Sequence, residues 1–186
     1  MTRTGAVPPT AVRELDSVSI RTVAVGPMDN DAYLVTCRSS GAQVLIDAAA
    51  AGADDADAIE AATGTVIHRR LHDGDLVEVG HVTLTVIALR GHTPGSIALA
   101  YREPAHVHVE GASAGRMHLF TGDSLFPGGV GATRGVPALF TQLLDDVTAR
   151  VFDLFGDDTW VYPGHGRATT LGAERPHLRE WRARGW

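Results

Sequence analysis

Apolar residues recur along this chain in short runs separated by turn residues. Three strand-like runs come first, Val18–Val25, Ala32–Cys37 and Gln43–Ile46. Gly26-Pro27 with Asp29-Asn30, then Ser39-Ser40-Gly41, divide them, and such dipeptides punctuate strands. Leu76–Val79, Val82–Leu89 and Ser96–Tyr101 follow; in the second of these Val82, Leu84 and Val86 alternate with polar positions, the period of a half-buried strand. Met117–Thr121 and Trp160–Tyr162 read as short buried strands. A period near 3.6 is clearest from Pro137 to Phe155, where Leu139, Leu143, Val147, Val151 and Leu154 fall on one face and Pro137 suits a first turn. A weaker helix is expected over Asp54–Ala62 and a short one over Glu174–Trp181, while residues 1–15, with Pro8-Pro9, read as an N-terminal arm. Hairpins first, then strands mixed with helices, predict sheets covered by helices.

Composition narrows the class without naming a chemistry. A length of 186 residues suits one domain, residues 1–186. The net charge of -6 and the lack of any basic block argue against nucleic acid or an anionic membrane as partner. Cys37 is the lone cysteine, which excludes a disulfide framework and a cysteine-based zinc ribbon. No apolar run is long enough to span a bilayer and the first residues lack a signal-peptide core. The expectation is a soluble, cytoplasmic protein.

Three segments share one design. Gly91-His92-Thr93-Pro94-Gly95-Ser96, Gly122-Asp123-Ser124-Leu125-Phe126 and Pro163-Gly164-His165-Gly166 each follow a strand. Each sets one metal-capable side chain beside glycine, where a backbone turns sharply or is closely approached. Imidazole and carboxylate suit Zn²⁺ and Fe²⁺. Any one of them alone reads as a capped loop; three in the order His, Asp, His read as a site.

GHTPGS, TGDSLFPGGVG and VYPGHG, in this order, resemble the later metal-binding motifs of the metallo-β-lactamase superfamily, nearest its small glyoxalase II-like hydrolases. MDNDAYLV and VLIDAAA are similar to that branch's opening hairpin, and LGAERPHLREW to its C-terminal helix. The likeness runs from about Val18 to Trp186 and implies an α+β fold, an αββα sandwich. It also implies that His92 binds one metal, Asp123 bridges two, and His165 binds the second, the ions being zinc, with iron as the alternative. The activity implied is metal-assisted hydrolysis of a small-molecule ester or thioester.

One departure cuts against this. The family's His-x-His-x-Asp-His motif belongs between Asp47 and His92, and the interval AAAAGADDADAIEAATGTVIHRRLHDGDLVEVG lacks it. A strand, a ligand loop and a helix, on the order of forty residues, are missing from the N-terminal sheet, with four of the seven usual ligand positions. His68 and His72 are four apart, but Thr65-Val66-Ile67 reads as a strand, against a helical pair. His106-Val107-His108 falls in a surface hairpin. Gly111-Ala-Ser113-Ala-Gly115 matches G-x-S-x-G outside a strand–turn–helix setting, and Gly129-Val-Gly131 lacks the βαβ unit of a dinucleotide fingerprint. The alternatives are therefore a degenerate, non-catalytic family member that binds without turnover, or a mononuclear-iron sulfur dioxygenase, for which two His and one carboxylate are the minimal set.

Overall fold

The computed structural model describes residues 11–25, 30–47, 66 and 68–185. The expected helix over 54–62 lies outside the described residues.

The first sheet has four antiparallel strands in sequence order: β1 (Ala11–Glu14), β2 (Val18–Val25), β3 (Asn30–Cys37) and β4 (Gln43–Asp47). The second holds β5 (Leu76–Val79), β6 (Val82–Ala88), β7 (Ile97–Arg102), β8 (Met117–Gly122), β11 (Trp160–Pro163) and β12 (Thr169–Thr170), in the order β12-β11-β8-β7-β6-β5. A two-stranded ribbon, β9 (Leu125–Phe126) with β10 (Gly129–Val130), branches from the end of β8. The β8–β11 pair is parallel, which brings their C-terminal ends together. Residues 11–14 correct the arm reading: they pair with Ser19–Thr22, a run too short to be seen as a strand without its partner.

Alternation on each strand builds the layers. Val18, Ile20, Tyr33, Val35 and Cys37 of the first sheet face Leu84, Val86, Leu99, Phe120 and Tyr162 of the second, forming one core between them. The opposite face of the second sheet, with Ile87, Ala98, Ala100, Leu119 and Val161, packs under helices in a second core. The α+β reading and the sandwich hold. Among the described residues no helix covers the outer face of the first sheet. Strand β4 lies at its edge and Leu45 is 65% exposed.

Helix α1 (Pro137–Val147) continues as a π-helical turn over Thr148–Phe152, shorter than the helix expected to Phe155. Thr148 donates its hydroxyl to the Leu144 carbonyl at 2.6 Å, a back-bond that loosens the helical ladder. The widened turn shifts the phase of the apolar stripe. Phe140, Leu143, Leu144, Val147, Val151 and Phe152 are buried, whereas Leu139 and Leu154 are 37% and 68% exposed. The C-terminal helix is in two pieces, α2 (Leu171–Glu174) and α3 (Leu178–Arg184), joined by a 3₁₀ turn. Thr170 caps α2 by accepting the Ala173 N–H, and Trp181 is fully buried against the second core. No helix among the described residues is long and apolar enough to cross a membrane.

Candidate metal centre

Three strand ends converge where the parallel β8–β11 pair meets the loop after β6. His92 follows that strand, Asp123 follows β8, and His165 follows β11. They meet: Asp123 Oδ1 accepts from His165 Nδ1 at 2.6 Å, and Asp123 Oδ2 lies 3.7 Å from His92 Nε2. The ring of His92 is oriented from behind, its Nδ1–H donating to the Ala132 carbonyl at 2.8 Å. That bond turns Nε2 toward the carboxylate, the usual support of a ligating imidazole.

Close packing holds each loop in place. A methyl on Gly131 would stand 2.9 Å from the His92 ring and collide with the Asp123 carbonyl oxygen. Gly91 has φ +136°, and a Cβ there would meet the Leu139 carbonyl oxygen of α1 at 2.6 Å. Just ahead of it, Arg90 is clamped by Asp146 of α1, which accepts its backbone N–H at 3.0 Å, Nε at 2.9 Å and Nη2 at 3.0 Å. Burial alone would raise the Asp146 pKa; the Arg90 hydrogen bonds and charge outweigh it and hold the carboxyl below its ordinary value. On the other side β3 ties down the His165 loop. Asp31 N–H donates to the Gly164 carbonyl at 2.8 Å, Asn30 bridges His165, and the Tyr33 hydroxyl donates to the Pro163 carbonyl at 2.6 Å.

A cleft of about 270 Å³ opens over the pair His92 and Asp123, walled by Tyr33, Ile46, Ile97, Phe120 and Tyr162. Beneath Tyr162 runs a buried polar chain that the sequence did not disclose. The Tyr162 hydroxyl bonds His118 Nδ1 at 2.9 Å, and His118 Nε2 bonds Glu103 Oε1 at 2.9 Å. Both His118 and Glu103 have wholly buried side chains. Burial pushes the His118 pKa down, against the pull of Glu103; in the neutral ring Nε2–H donates to the Glu103 carboxylate and Nδ1 accepts a hydrogen bond from the Tyr162 hydroxyl. Their separation by 15 and 44 positions in sequence hides the chain from any motif.

The remaining histidines stay apart from the cleft. His68, His72, His106 and His108 are exposed, and His108 is held by Asp16 at 3.1 Å. Ser113 sits in the loop between β7 and β8, its N–H donating to Glu103 Oε2 at 3.0 Å, and is no nucleophile elbow.

The donor chemistry suits zinc or iron, and geometry allows part of a cage. Two ligands on one tetrahedral ion at its usual bond lengths stand about 3.3 Å apart. The His92–Asp123 separation of 3.7 Å is close to that span, while the 2.6 Å His165–Asp123 contact is a hydrogen bond. Among the described residues no group of three or more His, Cys, Asp and Glu side chains is arranged to hold a metal ion.

Comparison with known proteins agrees with the motifs. No established protein-family profile matches the chain. It is similar to an uncharacterized protein of Mycobacterium tuberculosis, 32% identical over 103 residues, covering 55% of this chain and 42% of that protein. The hydroxyacylglutathione hydrolase GloC of Haemophilus influenzae is 29% identical over the same shares of each chain. An uncharacterized 11.5 kDa protein of Rhodococcus erythropolis is 41% identical over 81 residues, which cover 43% of this chain and 71% of that one. The chain thus spans less than half the length of the first two relatives. Among solved structures, a metallo-β-lactamase from Staphylococcus aureus superposes with TM-score 0.64 at 18% identity, covering 87% of this chain and 61% of that one. ETHE1 from Myxococcus xanthus gives 0.63 at 23% identity, with 88% and 84% covered. TTHA1623, solved in a di-iron-bound form, gives 0.52 at 24% identity, with 83% and 96% covered. The order of the three motifs, the two-sheet architecture and these structures agree: the chain has the metallo-β-lactamase fold, and part of it is similar in sequence to hydroxyacylglutathione hydrolases.

Proposed function

We propose that the chain is a metal-dependent hydrolase of a small ester or thioester, working in the cytoplasm on a small-molecule substrate. The observation that carries this reading is that His92 and Asp123 line one cleft, with His165 hydrogen-bonded to Asp123 beside it. His92 and Asp123 would hold a zinc or iron ion, with His165 as a further donor once it releases the carboxylate. Such an ion, when bound, lowers the pKa of water and polarises a carbonyl. The chain's own residues do the rest: Ala132 keeps Nε2 of His92 free, β3 anchors the His165 loop, and the aromatic wall receives an apolar acyl group and excludes water. Two relatives carry the name hydroxyacylglutathione hydrolase, which makes a glutathione thioester the first substrate to try. Purified protein is expected to contain zinc or iron and to hydrolyse that thioester; trace metal with no turnover above buffer would refute the proposal.

The absent His-x-His-x-Asp-His segment, and the carboxylate already engaged by His165, favour a second reading: a non-catalytic binding protein. Inserting the segment from a relative should then create activity where there was none. Equal activity before and after insertion would remove this alternative.

A further inference from the structure

A cleft of about 400 Å³ opens on the face of the second sheet turned away from the candidate metal centre. Strand alternation separates the two. Leu99, Phe120 and Tyr162 wall the first cleft, while Thr85, Ile87, Ala100 and Met117 line the other, and the two clefts share no lining residue. Cross-strand partners lie on one face, so the floor is continuous: Thr85 stands opposite Ala100, and Met117 opposite Arg102. Helix α1 and its π-helical turn pack over Ile87, Ala98 and Leu119; beyond them Thr83, Thr85 and Arg102 are exposed. The volume falls within the usual range for small-molecule pockets, about 300–1,000 Å³.

One rim is apolar for a reason that lies in the helix. A regular period would put Leu154 on the buried stripe of α1; after the π-helical turn over Thr148–Phe152 it lines the cleft instead, 68% exposed, with half-buried Phe155 beside it. Inserted π turns gather at functional sites. Leu76, opposite Thr85 and 53% exposed, extends the same apolar surface. Charge marks the rest of the rim. Asp73 accepts the Ala88 N–H and Arg150 Nη1, each at 2.8 Å, and Arg150 also stands 3.4 Å from Asp146. Arg102, the last residue of β7, is exposed and makes no hydrogen bond or ion pair among the described residues. The cleft thus carries two guanidinium groups against one carboxylate, in a chain whose net charge is -6. A free cation at the edge of an exposed apolar patch is complementary to an anion that brings apolar surface with it.

We infer that this cleft binds a small amphipathic carboxylate, its hydrocarbon tail against Ala100, Met117, Leu154 and Phe155 and its carboxylate on Arg102. A guanidinium fork matches a carboxylate in two parallel hydrogen bonds, and the hydroxyls of Thr83 and Thr85 add neutral donors at the same cleft. An uncharged apolar molecule would leave Arg102 unanswered, and a bare anion would leave Leu154 in water. The inference goes beyond the hydrolase reading and requires neither metal nor turnover.

The test separates tail from charge. Octanoate, octanol and acetate are titrated into the full chain and followed by amide NMR. Octanoate is expected to saturate, to shift the amides of Thr85, Ala100, Arg102 and Leu154, and to bind about tenfold more tightly than octanol; acetate should not saturate. Arg102→Gln should weaken octanoate about tenfold, to the level of octanol, and leave octanol unchanged. Leu154→Ser should weaken both about fivefold. Both positions are exposed, so each variant should melt within about 2 °C of the native protein, and weaker binding cannot be put down to unfolding. Equal binding of octanoate and octanol, a preference that survives in Arg102→Gln, or shifts centred on His92 and Asp123 overturns the inference. So does a dimer in sedimentation that Leu154→Ser dissolves while octanoate does not bind, since the face would then be a contact between copies of the chain.

Discussion

Replacing His118 by leucine tests the buried chain beneath the cleft. The ring accepts from Tyr162 and donates to Glu103, both at 2.9 Å, with the side chains of His118 and Glu103 wholly buried. Leucine fills much of the volume but answers neither group. The tyrosine hydroxyl then lacks its acceptor, which costs about 1–3 kcal/mol, and Glu103 keeps only the Ser113 N–H at 3.0 Å and an Arg116 guanidinium 3.9 Å away. Stripping a buried charge of its main partner costs about 3–5 kcal/mol. The two losses overlap, so a total of about 4–6 kcal/mol is expected, or a fall in Tm of about 10–20 °C for a chain of this size. Replacing Glu103 by leucine in the same protein removes the stranded charge, and the double variant should be more stable than His118→Leu alone. The pH profile offers a second reading. Burial, aided by the nearby Arg13 and Arg116 charges, puts the folded pKa of His118 below its unfolded value. Its contribution is therefore complete above the unfolded pKa of about 6.5 and is lost as pH falls toward the depressed folded value. Denaturant unfolding from pH 8 to 5 should show that decline in the native protein and a flatter curve in His118→Leu. A single variant melting within about 3 °C of the native protein, or a double variant no more stable than the single, would refute the reasoning.

Two further substitutions probe how the loops are held. Asp146→Asn weakens the three bonds to Arg90; with Arg90 nearly half exposed, the loss should be about 1–2 kcal/mol at pH 7. Since Asp146 titrates below its ordinary value in the fold, its contribution is present above the unfolded pKa of about 3.9 and disappears as pH falls through the folded one. The two proteins should therefore converge in stability in acid, and a gap that persists there would show that the ion pair is not its source. Gly131→Ala drives a methyl into the His92 ring and should cut metal uptake at least tenfold, measured by elemental analysis, at a stability cost of about 1–3 kcal/mol. Gly129→Ala, whose added methyl would meet nothing closer than 3.6 Å, is the control; equal metal content in the two variants would show that crowding of His92 does not matter.

Much of the architecture was legible because it is written in local periods. Val18–Val25 and Leu76–Val79 match their strands end to end, since two-residue alternation and glycine-rich turns are properties of adjacent positions. The candidate trio of His92, Asp123 and His165 could be singled out for a related reason: each member lies beside glycine at a strand end. The apolar face of α1 was only half legible. Its stripe runs through Phe140 and Leu144 where Leu139 and Leu154 were expected, because the π-helical turn alters the period after Val147. Strand β1 was missed because four residues, two of them charged, carry no alternation until Ser19–Thr22 lie opposite.

The sequence by itself determined the class and the main strands along the chain, and it singled out three candidate ligands. Only the tertiary structure decided that Asp123 lies between the two imidazoles and that His165 holds it in a hydrogen bond. It also decided that His118, Glu103 and Tyr162, far apart in sequence, form one buried chain. The division follows from range. Periodicity and turn chemistry act between near neighbours, whereas hydrogen bonds and charge act through space, and their partners become defined when sheets and helices close on one another.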